Sequence, residues 1–228
     1  MQTRSLLGEE LNKIRRELTL MATRVEEDLG KALAMLRSGD EELASEVKES
    51  GKIVDALQLK IEDMALVLIA TQQPVARDLR ELIMVFKITA NLERINDYGI
   101  HLVKIAKKLS DRPPFRSMER IERMTKTGQQ MLSAAFSAYL AQDPDSAREA
   151  AVLDDIIDKE HKALVDEVLK LMKKKPELVK AAARLLKLSG YMERLGDHIT
   201  NICEGIIYMV NGSHEELNTK FIGKEYGI

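Results

Sequence analysis

The feature that most constrains this chain is a short acidic motif written twice. Residues 92–98 read Leu-Glu-Arg-Ile-Asn-Asp-Tyr, and residues 192–198 read Met-Glu-Arg-Leu-Gly-Asp-His. Both have the form Glu-Arg-apolar-small-Asp, and they lie 100 residues apart in a chain of 228. An internal repeat of this kind restricts the fold to two similar halves. If the motifs are helical, Glu93 and Asp97 share one face, as do Glu193 and Asp197, because residues four apart are surface neighbours.

Helix is what the rest of the chain predicts. Aromatic residues are 4% of the composition and tryptophan is absent, while good helix formers abound. No period-two strand pattern or hairpin signal stands out. Turn and cap residues divide the chain into six helices, over about 5–37, 40–71, 74–109, 115–141, 145–174 and 176–210. Ser38-Gly39 ends the first, Asp40 caps the second, and Pro74 opens the third. Arg112-Pro113-Pro114 breaks the chain near its midpoint, Pro176 opens the sixth helix, and Asn211-Gly212 closes it. Helices of about 30 residues are about 45 Å long, and connections this short imply antiparallel neighbours.

The halves correspond beyond the motif. Asp40-x-x-x-Ala44 resembles Asp143-x-x-x-Ala147, Val54-Asp55 resembles Ile157-Asp158, and Pro74 matches Pro176. The expected architecture is all-α: two tandem, pseudo-symmetric three-helix bundles, at 1–111 and 115–211, followed by a tail at 212–228. The longest apolar runs, 65–70 and 206–210, fall far short of the roughly 20 residues a spanning helix needs. A net charge of −2 gives no bulk drive toward nucleic acid. A lone cysteine, Cys203, fits a reducing compartment. A soluble, cytoplasmic protein is expected.

The ordinary reading of Glu-x-x-x-Asp on a helix is a solvated face. Here neither glutamate has a basic residue three or four positions away: Glu93 faces Thr89, Ala90, Asn96 and Asp97, and Glu193 faces Ser189, Gly190, Gly196 and Asp197. Each meets a like charge instead, at a cost of about 0.2–0.5 kcal/mol. Paired carboxylates with few histidines suit hard cations or iron. Repeat alignment offers Asp55 to the first pair, and Asp154 with Asp158 to the second. His101 and His198 follow the two motifs without matching each other, and Cys203 reads as core.

Gln73-Pro74-Val75-Ala76-Arg77-Asp78-Leu79-Arg80, then Lys87-Ile88 and the two Glu-Arg-x-x-Asp copies, resemble the PhoU family over nearly the whole chain. One departure is Asn96, where the family pattern has glycine. It makes the first site more crowded. The resemblance implies a non-enzymatic cytoplasmic regulator of phosphate uptake. Such a regulator represses the phosphate-starvation response together with the phosphate ABC transporter, its ATPase and a sensor histidine kinase. Membrane association through those partners and a possible homodimer follow from the same resemblance. It further implies a divalent or trivalent metal, iron among the candidates, held as multinuclear clusters at Glu93, Asp97, Glu193 and Asp197, extending to Asp55, Asp154 and Asp158. Arg77 and Arg80, three apart at the start of the third helix, read either as a local charge network or as a partner-docking surface.

Two other readings remain open. A ferritin-like di-iron enzyme needs Glu-x-x-His motifs, and this chain contains none. A metal-free helical scaffold would use the acidic faces to bind basic partners.

Overall fold

A computed structural model describes residues 2–109 and 115–217. The midpoint break at residues 112–114 and most of the expected tail lie outside the described residues. Among the described residues there are seven α-helices and no strand: α1 (Gln2–Ser38), α2 (Glu41–Gln72), α3 (Ala76–Ala106), α4 (Phe115–Ala141), α5 (Pro144–Val152), α6 (Asp154–Lys174) and α7 (Val179–Asn211). Six long helical segments are present, as expected, with the fifth divided at Leu153 into α5 and α6. At the division Leu153 N–H donates to Ala150 O (3.2 Å) and Ile156 N–H to Leu153 O (3.0 Å), a tight turn between two helical axes.

The ends follow from local chemistry. Asp40 and Asp143 cap α2 and α5, their carboxylates accepting from Glu42 N–H (2.8 Å) and Asp145 N–H (3.0 Å). Gly39 and Gly212 take the left-handed conformation that stops α1 and α7, with φ of 76° and 77°. Pro74 does not open α3. It lies in the connector, between left-handed Gln73 (φ 46°) and extended Val75 (φ −128°), and the helix begins at Ala76. Pro176 opens a 3₁₀ turn, Pro176–Leu178, that leads into α7.

In α1 the residues Leu11, Ile14, Leu18, Met21, Val25, Leu29 and Ala32 are all buried, three or four apart. This stripe faces α2, α3 and α4. The two bundles share one continuous apolar core. A fully buried Leu or Ile such as Leu18 or Ile88 contributes about 1.5–3 kcal/mol. Ion pairs brace the outside: Lys60–Glu17 (2.7 Å) and Lys31–Glu46 (2.7 Å) join α1 to α2. Arg120, between Glu160 and Glu167, joins α4 to α6.

The most extensive helix–helix contact is that of α3 with α7, the third helix of each half. As numbering rises along α3 it falls along α7: Arg80 meets Met209, Asn91 meets His198, and His101 meets Tyr191. The helices are therefore antiparallel, and the halves are related by a pseudo-twofold axis crossing α3 and α7 near the acidic motifs. No helix among the described residues is long and apolar enough to cross a membrane.

Candidate functional site

Both acidic motifs sit mid-helix, and their surroundings repeat closely. The pattern of buried and half-buried positions over 91–99 recurs residue for residue over 191–199. In each, leucine and isoleucine or methionine point into the bundle, while glutamate and aspartate stand half-buried at its edge. Burial first, then Asp97, then Asp55, push the Glu93 carboxyl above its ordinary range, and Arg94 pulls it back. Burial first, then Asp197 and Asp158, do the same to Glu193, against Arg194 and Lys162. Asp55 of α2 therefore faces the first pair and Asp158 of α6 the second, giving three carboxylates on each face. Asp154 is 4% exposed and packs under α7, where its charge acts on Cys203.

The donor set suits a hard cation: clustered carboxylate oxygens, with both glutamate pKa values raised first by burial and then by neighbouring carboxylates. No cage is ready-made. Among the described residues, no three His, Cys, Asp or Glu side chains stand together closely enough to hold a metal ion. Arg94 bridges the first pair, 3.4 Å from Glu93 and 3.8 Å from Asp97, with its side chain 60% exposed.

Behind the motifs, sequence reasoning missed a reciprocal slot. Where α2 crosses α3, Gly51 lies against Asn96. A Cβ on Gly51 would stand 2.7 Å from Ile100 Cδ1 and 3.5 Å from Asn96 Nδ2. Where α6 crosses α7, the pattern is inverted. Asp154, at the position matching Gly51, fills the space over Gly196, at the position matching Asn96. A Cβ on Gly196 would collide with Asp154 Oδ1 and stand 3.2 Å from Ile157 Cδ1. Each half thus holds one polar side chain between its helices, supplied from opposite sides. The expected crowding at Asn96 is relieved because Gly51 gives way. Asn96 is itself buried, and its Oδ1 has no hydrogen-bond partner.

A second feature lies on the pseudo-twofold axis. Tyr98 and His198, matching positions of the two motifs, meet there with Tyr98 OH 3.4 Å from His198 Nε2. His198 Nδ1 donates to Asn91 Oδ1 at 2.8 Å, and Tyr98 stacks obliquely on Tyr191, the position matching Asn91. His101 Nδ1 donates to Asp97 O at 2.7 Å. Burial, helped by Arg94 and Arg194, lowers the His198 pKa, so it is neutral at pH 7. Cys203 is fully buried, which pushes its thiol up to about 12.

Arg77 and Arg80 are engaged within the chain. Arg77 Nη2 donates to Gln142 Oε1 at 2.6 Å, joining α3 to the end of α4. Arg80 Nε donates to Met209 O at 3.2 Å, a cation at the C-terminus of α7. Beside them the buried Glu81 takes a bidentate bond from Arg15 (2.6 and 2.7 Å).

The PhoU domain matches residues 18–108 and again 121–206, one match for each half. The chain belongs to the PhoU family. The crystal structure of PhoU from Pseudomonas aeruginosa superposes with a TM-score of 0.86 at 28% identity, covering 90% of this chain and 99% of that one. The phosphate transport system regulatory protein PhoU from Streptococcus pneumoniae gives 0.85 at 28% identity, covering 92% and 99%. A phosphate-specific transport system accessory protein PhoU homolog from Clostridium acetobutylicum is 31% identical over 217 residues, 95% of this chain and 99% of that one. The Escherichia coli K12 accessory protein PhoU is 31% identical over 225 residues, covering 95% and 92%. Within this PhoU-family chain, the reciprocal slots and the tyrosine–histidine contact are places where the two domain copies differ in chemistry.

Proposed function

We propose that this chain is a non-enzymatic, cytoplasmic accessory protein of a phosphate-specific transport system. It represses the phosphate-starvation response together with the transporter ATPase and a sensor histidine kinase. The observation that carries the reading is the two-fold family match, spanning both halves, together with the role in phosphate-specific transport of the relatives it resembles. No nucleophile–base constellation is part of the reading, and the acidic faces are its binding elements.

On this reading Glu93, Asp97 and Asp55 hold one cation site, and Glu193, Asp197 and Asp158 the other, with Asp154 behind it. A bound cation would cancel carboxylate repulsion on each face. The raised glutamate pKa values support that role. A second reading, a metal-free scaffold, draws on the span of Arg94 across Glu93 and Asp97, which satisfies that pair within the chain.

Two measurements test these readings. In cells lacking the gene, a phosphate-starvation reporter should be active even in phosphate-rich medium, and unchanged repression refutes the regulatory role. Elemental analysis of the purified chain should find iron or another transition metal that disappears when Glu93, Asp97, Glu193 and Asp197 are all converted to amides. Metal absent from both, even after reconstitution, leaves the scaffold reading.

A further inference from the structure

The two halves place equivalent hairpins at opposite ends of the molecule, and one of them is charged out of all proportion to the other. Residues 169–187, where α6 turns into α7, contain seven basic side chains and one carboxylate: Lys170, Lys173, Lys174, Lys175, Lys180, Arg184 and Lys187 against Glu177. The matching stretch of the first half, 67–85, has two arginines, Asp78 and Glu81. It reads Thr71-Gln72-Gln73-Pro74 where the second half has Lys173-Lys174-Lys175-Pro176. Both places are turns between the second and third helices of a bundle, and the first is made without lysine, so such a turn does not require the lysines.

All six lysines are exposed, and none of the seven cations is ion-paired among the described residues. Arg184 donates to the Lys108 carbonyl, which brings the C-terminal end of α3 onto the same pole, where Lys104 and Lys108 are exposed and Lys107 pairs with the exposed Glu41 of α2 at 3.1 Å. Two apolar side chains stand among the cations, Leu169 at 47% and Val179 at 42% exposure. The whole chain nevertheless has a net charge of −2. The α6–α7 hairpin therefore concentrates lysine on a chain that is otherwise net acidic.

We propose that this end is a membrane-contact surface that adheres to anionic phospholipid. The composition favours a bilayer over an acidic protein or a nucleic acid. Lysine is a hydrated point charge on a flexible stem, suited to diffuse attraction, whereas shaped recognition of carboxylate or phosphate uses arginine forks. One arginine among seven cations, itself donating to the Lys108 carbonyl, makes no such fork. Aromatic side chains for base stacking are absent from 169–187. Leu169 and Val179, projecting beside the lysines, match an interface where charge meets headgroups and apolar side chains enter the acyl boundary. Contact of the chain itself with lipid goes beyond association through protein partners, and it stands independently of the phosphate reading.

The test uses the full chain and flotation with phosphatidylcholine vesicles, with and without phosphatidylglycerol. Binding is expected only to the anionic vesicles and should vanish at molar salt, where the Debye length shrinks to about 3 Å. Changing Lys173, Lys174, Lys175 and Lys180 to glutamine should lower vesicle affinity about fivefold per lysine, several hundredfold together. The same change at Lys48, Lys52, Lys87 and Lys126, exposed elsewhere, should have little effect. Circular dichroism of both variants confirms that each is folded, and surface glutamines leave the core untouched. Equal binding to both vesicle types, or none, overturns the proposal. So does undiminished binding by the hairpin variant. Retention on polyglutamate without vesicle binding also overturns it and assigns the end to an acidic protein.

Discussion

The slot between α2 and α3 and the slot between α6 and α7 solve one packing problem in opposite ways. In the first, the third helix of the bundle carries the polar side chain, Asn96, and the second helix yields with Gly51. In the second, Asp154 comes from the second-helix position and Gly196 yields. A glycine in mid-helix costs about 1 kcal/mol relative to alanine, and each half accepts that cost once at this crossing. What the halves conserve between them is the volume at the crossing, not the residue that fills it. The difference has a chemical consequence, because the second slot is filled by a carboxylate and the first by an amide. The acidic faces above them are alike in outline and unequal in total charge.

The comparison breaks most readily at Gly196. Asparagine there should cost about 3 kcal/mol or more, since Asp154 and Ile157 are both in the way. Adding Asp154→Gly should restore over half of the loss, which a urea-unfolding double-mutant cycle would read as a coupling above ~1 kcal/mol. A stable single variant, or additive losses, would remove the reciprocity. Next in size, Gly51→Asp should cost about 1–2 kcal/mol, less than the first because the obstacle is the tip of Ile100, which can turn aside. Paired with Asn96→Gly it should recover most of that loss, read as coupling in the same kind of cycle.

The smallest effect sharpens the inequality of the two faces. Folding raises both Glu93 and Glu193 above the ordinary value of 4.5. The folded chain then holds those protons more tightly than the unfolded chain. Their contribution to stability is complete below 4.5 and is lost as pH rises through the folded values. In metal-free protein at pH 7, Glu193→Gln and Glu93→Gln should each stabilise by a few tenths of a kcal/mol. Both gains should fade on acidification, and their ratio measures how unequal the two faces are. Thermal melts across pH that show no such fading would mean the carboxylates are already neutralised within the chain.

Much of the architecture was legible because it rests on local signals. Asp40 and Asp143 are caps wherever they stand before a helix, and Gly39 and Gly212 stop helices through their own backbone freedom. The acidic motifs showed themselves by repetition. The slots were illegible because Gly51 and Asp154 gain their meaning from a partner 45 and 42 residues away on another helix. Repeat alignment puts a glycine opposite an aspartate there and so hides the match. The division at Leu153 also left no mark, since Ala150-Ala151-Val152-Leu153-Asp154 contains neither proline nor glycine. Pro74 misled by one short turn, because Gln73 and Val75 carry the chain past it before a helical hydrogen bond can form. His101 and His198 looked unrelated along the chain. Across the axis, His198 meets Tyr98, the residue it replaces.

That meeting of matching positions says something about how the molecule is closed. A contact in which residue 98 touches residue 198, and 91 and 98 touch 198 and 191 in turn, is of the isologous kind that two identical subunits make. The α3 surface of one chain therefore fits the α7 surface of another as well as it fits its own. Two chains could trade halves and lose no α3–α7 contact. Which of the two forms is populated would then be set by chain concentration and by the short link between the halves, and not by the quality of the interface.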